Sequence, residues 1–328
     1  MKVLYRFFSR RLFWLAWLAL IVLLLSQLFG RIYWQLELFS HYLPHVAILL
    51  LLASCFYPVH KKYLVSRQIQ LGVRLGFGLL GGILLLLSLQ SLSMLTQNVN
   101  PPDSTIAPLT IAYQNVNIGN QQAKQTLAQL TQFQPDVLIL LEAGGENWQQ
   151  PLQTLITENY YPIHCQHKDN SPFAMQVFVH QSNAHCEVIK FADFPAIKIT
   201  LPNLPNQRSI YAVHPPPPIN SDLAHARNQY LHALKQHLLS TNLQGNYLII
   251  GDFNLSAFSP IYRDFIADSK LQRATPRGLP TWLPFAISID QILIHSRQNT
   301  SSTNDINIQV QPLAWVGSDH RGFLLSWE

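Results

Sequence analysis

Three long apolar runs crowd the first hundred residues of this 328-residue chain, from Leu12 to Phe29, Tyr42 to Val59 and Leu71 to Leu95, and Arg74 is the only Lys, Arg, Asp or Glu within them. Each approaches or exceeds the ~20 residues that cross a hydrocarbon core. A single such segment satisfies its backbone polar groups in lipid only as a helix. The first run carries no small-x-small cleavage site and two more runs follow it, so the pattern reads as three transmembrane helices and not as a removable leader. Gly78-x-x-x-Gly82 marks a candidate helix-packing face.

Basic residues orient the anchor, because Lys and Arg in short loops stay cytoplasmic. Lys2, Arg6, Arg10 and Arg11 precede the first run, and Lys61, Lys62 and Arg67 lie between the second and third. The connector between the first and second carries only Arg31, offset by Glu37. The amino terminus is therefore expected inside and everything after Leu95 outside. The net charge of +5 has the same origin. Residues 1–100 hold nine bases and one acid, a balance of +8, whereas residues 101–328 hold 13 bases and 16 acids, a balance of −3. The soluble part thus lacks the basic surplus of a phosphate-backbone clamp, which disfavours a nucleic-acid partner. Three cysteines are too few for a disulfide framework, but Cys165 and Cys186, both in the outward-facing part, can pair in an oxidising compartment.

Residues 1–100 are read as the anchor, 101–108, opening on Pro101 and Pro102, as a linker, and 109–328 as one folded domain. Within it the spacing predicts strands at Leu109–Val116, Asp136–Leu141, Arg208–Val213, Tyr247–Ile250, Ile287–Ile294 and Gly322–Trp327. Helices are predicted at Gln121–Phe133 and Leu223–Leu239, and an antiparallel meander from His164 to Thr200. This order suits an α/β fold in which two mixed sheets pack face to face with helices outside.

The segment Leu248 to Asn254, Leu-Ile-Ile-Gly-Asp-Phe-Asn, ends an apolar strand by delivering a carboxylate and an amide two residues apart, on one side of the strand end. Alone it is also an ordinary turn. Its weight comes from company: Asn115 in Ile-Ala-Tyr-Gln-Asn-Val, Glu142 after Pro-Asp-Val-Leu-Ile-Leu-Leu, His214 after Ala-Val, Asp290 in Ser-Ile-Asp-Gln-Ile-Leu, and Ser318-Asp319-His320. Each stands at or close to a predicted strand end.

In this order the six motifs resemble the endonuclease/exonuclease/phosphatase superfamily of metal-dependent phosphoesterases, over Leu109 to Trp327. The resemblance implies a four-layer α/β sandwich of two mixed β-sheets flanked by helices, here preceded by three transmembrane helices. It implies a hydrolase with a phosphodiester or phosphomonoester substrate and Mg²⁺ or Mn²⁺ as cofactor. Glu142 offers a hard oxygen ligand and Asp319 a second. Asp290 pairs with His320 to orient the ring, while His214 faces the phosphate from the opposite side. Asp252 or His320 takes the proton from the attacking water. Asn115 and Asn254 donate to the phosphate or hold a carboxylate, with Asn117 nearby. Arg227, on the helix after the proline run, is a candidate phosphate contact or a solvated helix position. The expected setting is a bacterial cytoplasmic membrane, crossed by the anchor, with the catalytic domain extracytoplasmic. The rivals are a nuclease of the same superfamily and a catalytically silent scaffold that keeps the fold.

Overall fold

The computed structural model describes residues 2–56, 67–89, 108–157, 161–202, 208–240, 246–276, 278–295 and 308–328. Most of the expected 101–108 linker and the Lys61-Lys62 connector lie outside the described residues. The first third is helical: α1 (Lys2–Phe29), α2 (Trp34–Phe39), a 3-10 turn (Ser40–Tyr42), α3 (Leu43–Phe56) and α4 (Arg67–Leu89). Among the described residues, three segments are long and apolar enough to cross a membrane, Phe7–Phe29, Trp34–Phe56 and Gln68–Leu89. Trp14, Leu18, Leu75, Leu79 and Leu86 point outward and exposed, the surface a bilayer would cover. The helices meet in a small cluster of Ala16, Leu20, Leu23, Val46, Leu50, Ala53 and Phe77. The expected Gly78-x-x-x-Gly82 face is corrected by one residue. Gly78 lies against Ser54 and Gly81 against Leu50 and Ala47, whereas Gly82 faces open space.

The remainder is the four-layer sandwich. One sheet contains β1 (Leu109–Asn115), β2 (Val137–Leu141), β3 (Ile163–His167), β4 (Met175–Val179), β11 (Ile308–Pro312) and β12 (Phe323–Trp327), in the order β11-β12-β1-β2-β4-β3. The second contains β5 (His185–Phe191), β6 (Phe194–Leu201), β7 (Arg208–Val213), β8 (Tyr247–Asp252), β9 (Gln272–Arg273) and β10 (Asp290–His295), ordered β5-β6-β7-β8-β10-β9. Each sheet has one parallel pair, β1 with β2 and β7 with β8. Parallel neighbours need a crossover, and α5 (Ala123–Thr131) and α7 (Ser221–Ser240) supply them. Outer helices α6 (Glu146–Thr157) and α8 (Pro260–Ser269) complete the layers.

The period of two sorts side chains between layers. Ile111, Tyr113, Val137, Ile139, Leu248, Ile250, Ile292 and Ile294 face the core between the sheets. The alternate residues Ala112, Leu138 and Leu140 pack under α5 and α6, and Tyr247 and Ile249 under α7 and α8. By the same parity Asn115, Asp252 and Asp290 point into the gap between the sheets, where the apolar core stops and chemistry begins.

Cys165 and Cys186 form a disulfide, with Cα atoms 6.2 Å apart. The geometry differs from neighbouring strands of one meander. β3 and β4 belong to the first sheet, β5 and β6 to the second, so the bridge joins the edge strands of facing sheets. The chain turns from one sheet to the other between Val179 and His185, a change of layer that an alternating pattern does not record.

Candidate active site

Strand ends from both sheets converge at one edge of the sandwich. Asn115 ends β1, Glu142 follows β2, His214 follows β7, and Asp252 ends β8. Asp290 opens β10 directly opposite Asp252 in the antiparallel register, and β12 brings His320 in beside β1. Gly251 lets β7 and β8 close up here, because a Cβ at that position would fall on the Val213 carbonyl.

Asn115 is the hinge of the arrangement. Its Nδ2 donates to Glu142 Oε1 at 2.9 Å and to Asp252 Oδ2 at 3.1 Å, tying the two sheets' carboxylates to one amide. Glu142 Oε2 accepts from the Ile118 N–H. His214 Nε2 lies 3.8 Å from both Glu142 Oε1 and Asp252 Oδ2. On the other side of Asp252, His320 Nε2 is 3.7 Å from Oδ2, while its Nδ1 sits 3.0 Å from Asp290 Oδ2. Asp290 is fully buried and also accepts from the Tyr113 hydroxyl at 2.7 Å and is fixed through its own N–H on Thr281 Oγ1.

Three site residues hold a left-handed backbone: Asn117 (φ 58°), Glu142 (φ 61°) and Asn254 (φ 51°). Asn tolerates that region, but Glu has no local compensation and pays ~1–3 kcal/mol for it. The surroundings over-determine Glu142, whose N–H donates to the Ala174 carbonyl at 2.8 Å and whose carboxylate has two donors.

Burial sets the protonation tendencies. It pushes Glu142 above the usual carboxylate range, partly opposed by the Asn115 hydrogen bond. It does the same to Asp252, where the cationic His320 opposes and the Asp290 charge reinforces the rise. Burial also lowers His214. His320 is desolvated too, but Asp290 and Asp252 outweigh that and raise it to about 10. The two imidazoles flanking Asp252 are thus pushed in opposite directions, His214 toward neutral and His320 toward cationic.

The family model described as the Endonuclease/Exonuclease/phosphatase family matches residues 112–320, most of the sandwich. The chain belongs to this family. Its members hydrolyse phosphoester bonds, so the chain is an enzyme of that class. Similar solved structures include the human nocturnin catalytic domain with bound sulfate, at 17% identity and a TM-score of 0.52, covering 67% of this chain and 94% of that one. D. rerio TDP2 complexed with single-strand DNA product aligns at 16% identity and a TM-score of 0.52, over 68% and 100% of the two chains. Truncated Caenorhabditis elegans TDP2 aligns at 12% identity and 0.52, over 67% and 97%. At these identities the likeness is one of fold. Among curated proteins, none matches the sequence.

Endonuclease/exonuclease/phosphatase enzymes depend on a divalent metal, and the donor set here fits one. Glu142, His214 and Asp252 bring candidate ligand atoms within 4.8 Å of one another, as do Asp252, Asp290 and His320. Carboxylates buried together and pushed upward in pKa are the arrangement a dication relieves. Asp319, the second ligand implied by the family resemblance, falls in neither cluster. Its oxygens accept from Asn117 Nδ2 at 2.6 Å and from Trp282 Nε1 at 2.8 Å.

Two expected substrate contacts are placed differently from one another. Asn254 is at the site, its N–H on Asp252 Oδ1 and its amide on the Pro215 carbonyl. Arg227 is neither solvated nor free for a phosphate. It is fully buried, with Nη1 3.2 Å from Glu37 of the anchor and 3.4 Å from the Asn254 carbonyl. Its partner lies 190 residues away, which a local helix pattern does not reveal. Sequence reasoning also missed Tyr113, Thr281 and Trp282. Tyr113 was accessible by parity, two residues before Asn115 on the same face. Thr281 and Trp282 stand in an irregular loop and carried no signal.

Proposed function

We propose that the protein is a membrane-anchored phosphoesterase using Mg²⁺ or Mn²⁺ to hydrolyse a phosphomonoester or phosphodiester. Residues 1–100 serve as anchor, 101–108 as linker and 109–328 as catalytic domain, outside a bacterial cytoplasmic membrane. The observation that carries this reading is the Asn115-tied Glu142 and Asp252 facing the His320–Asp290 pair.

The cation, when bound, supplies Lewis-acid stabilisation of charge on the phosphoryl and leaving oxygens. Glu142 holds it, with Asp319 as the further ligand implied by the family. Asp252 takes the proton of the attacking water, since a carboxylate raised by burial is a better base than a solvated one. His320 donates from Nε2 to a phosphoryl oxygen, its Nδ1 kept on Asp290. Its 3.7 Å separation from Asp252 is too long for a direct hydrogen bond and leaves the donor open. His214 and Asn254 line the phosphate from the other side. The water oxygen bonds to phosphorus, the ester P–O bond breaks, and the leaving oxygen takes a proton from solvent.

The extracytoplasmic placement is supported by docking. The connector between α1 and α3 packs on the sandwich through Arg31 to Asp264 and Glu37 to Arg227, so both lie on one side of the bilayer. The basic amino terminus is at the opposite end of α1. The test is Mg²⁺-dependent release of nitrophenol from p-nitrophenyl and bis(p-nitrophenyl) phosphate by the full chain in detergent. Undiminished activity in EDTA, or none on any phosphoester, overturns the proposal.

A further inference from the structure

We infer that the substrate is a membrane-resident phosphoester, a lipid whose phosphoryl group enters the site from the bilayer surface while its apolar chain stays beside Leu283 and Phe285. The inference rests on the phosphoesterase reading above and adds the substrate class.

Three observations carry it. The first is the height of the site. Gly30 to Tyr42 joins α1 to α3, and although the Trp34–Phe56 segment is apolar enough to span, its first turns carry Glu37 and His41, so we place the bilayer surface along this stretch. That segment docks onto the loop after β8: Glu37 meets Arg227, which bonds the Asn254 carbonyl, and His41 Nδ1 lies 2.8 Å from Ser256 Oγ. At the end of the first span, Gln27 donates to the Phe258 carbonyl. One guanidinium therefore separates Asn254 from the anchor, and the catalytic centre stands at headgroup level.

The second is the loop between β9 and β10. At one end Gly278 abuts Ser88 of α4, and at the other Phe285 packs on Tyr42, ring centroids 6.3 Å apart. Between these anchor contacts the same loop supplies Trp282 to Asp319 and Thr281 to Asp290. This loop is the wall shared by site and membrane.

The third is its surface. Leu283 and Phe285 follow Trp282 and are 56% and 52% exposed, and Phe285 sits against Tyr42 of the anchor. Large apolar side chains there are favoured by lipid and not by water. A soluble polyanion finds no compensating attraction, since residues 101–328 carry a balance of −3. A lipid substrate is instead held at high local concentration by the bilayer itself.

The experiment uses the full chain in phosphatidylcholine vesicles with Mg²⁺. Phosphatidic acid, phosphatidylglycerol or a long-chain alkyl phosphate is added as a minor component, in parallel with glycerol 3-phosphate and the two nitrophenyl esters in solution. At least one lipid is expected to turn over about tenfold or more faster than its soluble counterpart. The ratio of lipid to soluble turnover should fall about tenfold in Leu283→Ser/Phe285→Ser, which removes the apolar contact with lipid. A fluorophore on Phe285→Cys, in a Cys55→Ser background, should be quenched by brominated lipid. Soluble esters cleaved as fast as every lipid, or an unaltered ratio in the double variant, overturns the lipid inference while leaving the phosphoesterase reading intact. No hydrolysis of any ester overturns both.

Discussion

Arg227 and Glu37 form an ion pair at 3.2 Å, both side chains fully buried, across the junction of anchor and sandwich. A charge left alone in such a site is costly, whereas the pair as a whole contributes little net stability. Arg227→Met and Glu37→Gln should each lower the thermal midpoint of the full chain strongly, as expected of a loss of ~3–5 kcal/mol. The double variant should be less destabilised than the two losses added. Additive losses in a double-mutant cycle would show that the two charges are not coupled.

In the proposed mechanism, metal dependence rests on Glu142. Its replacement by Gln keeps size and the capacity to accept from Asn115 but removes the anionic oxygen a hard cation needs. Glu142→Gln should lose at least ~100-fold in kcat, and its residual rate should rise with Mg²⁺ concentration beyond the level that saturates the parent. An unimpaired variant would remove Glu142 from the metal site.

Asp290 and His320 lie 3.0 Å apart, with Tyr113 on the other carboxylate oxygen, and the proposed mechanism has them act as one unit. Asp290→Asn and His320→Ala should each cost orders of magnitude in kcat, and the double variant should be little worse than the worse single one. Multiplied losses would contradict the pairing. Tyr113→Phe should cost less, because it leaves the Nδ1 contact in place.

The pair also predicts a pH signature in metal-free protein. With the folded value of His320 raised to about 10 from 6.5, its contribution to stability is complete below the unfolded value and is lost as pH rises through about 10. His214 is shifted the other way. Nitrogen-15 spectra of the imidazoles in EDTA at neutral pH should therefore show His320 protonated and His214 neutral. Two neutral rings would remove the proton donor from the mechanism.

Where the chain alternates or repeats with a clear period, its sequence was readable. Asn115, Glu142, Asp252 and Asp290 were found because each belongs to a short motif at or beside an apolar strand, and the motifs stand in the order of the superfamily they resemble. α6 was not read, since its Glu146-Asn-Trp start and internal Pro151 break a helical pattern that only burial of Trp148 and Leu152 restores. β11, Ile-Gln-Val-Gln-Pro, does alternate, with Ile308 and Val310 against the core, but five residues ending in a proline are too short a pattern to read, and its register comes from β12. Arg227 and Trp282 depend on partners from distant segments, and no local pattern encodes those.

The strained backbone at Glu142 gives a test in which the usual order of two substitutions reverses. At an ordinary position Ala is more stable than Gly, because Gly loses more freedom on folding. At φ 61° Ala retains the steric cost and Gly does not. Glu142→Gly should therefore be more stable than Glu142→Ala by about 1 kcal/mol, with both inactive. Both variants lose the same carboxylate and the same hydrogen bonds from Asn115 and Ile118, so their difference isolates the backbone. Denaturation midpoints compared in EDTA would decide it. An Ala variant as stable as the Gly variant would mean that the backbone relaxes when the carboxylate is removed, and that the Asn115 and Ile118 contacts impose the left-handed geometry at the strand end.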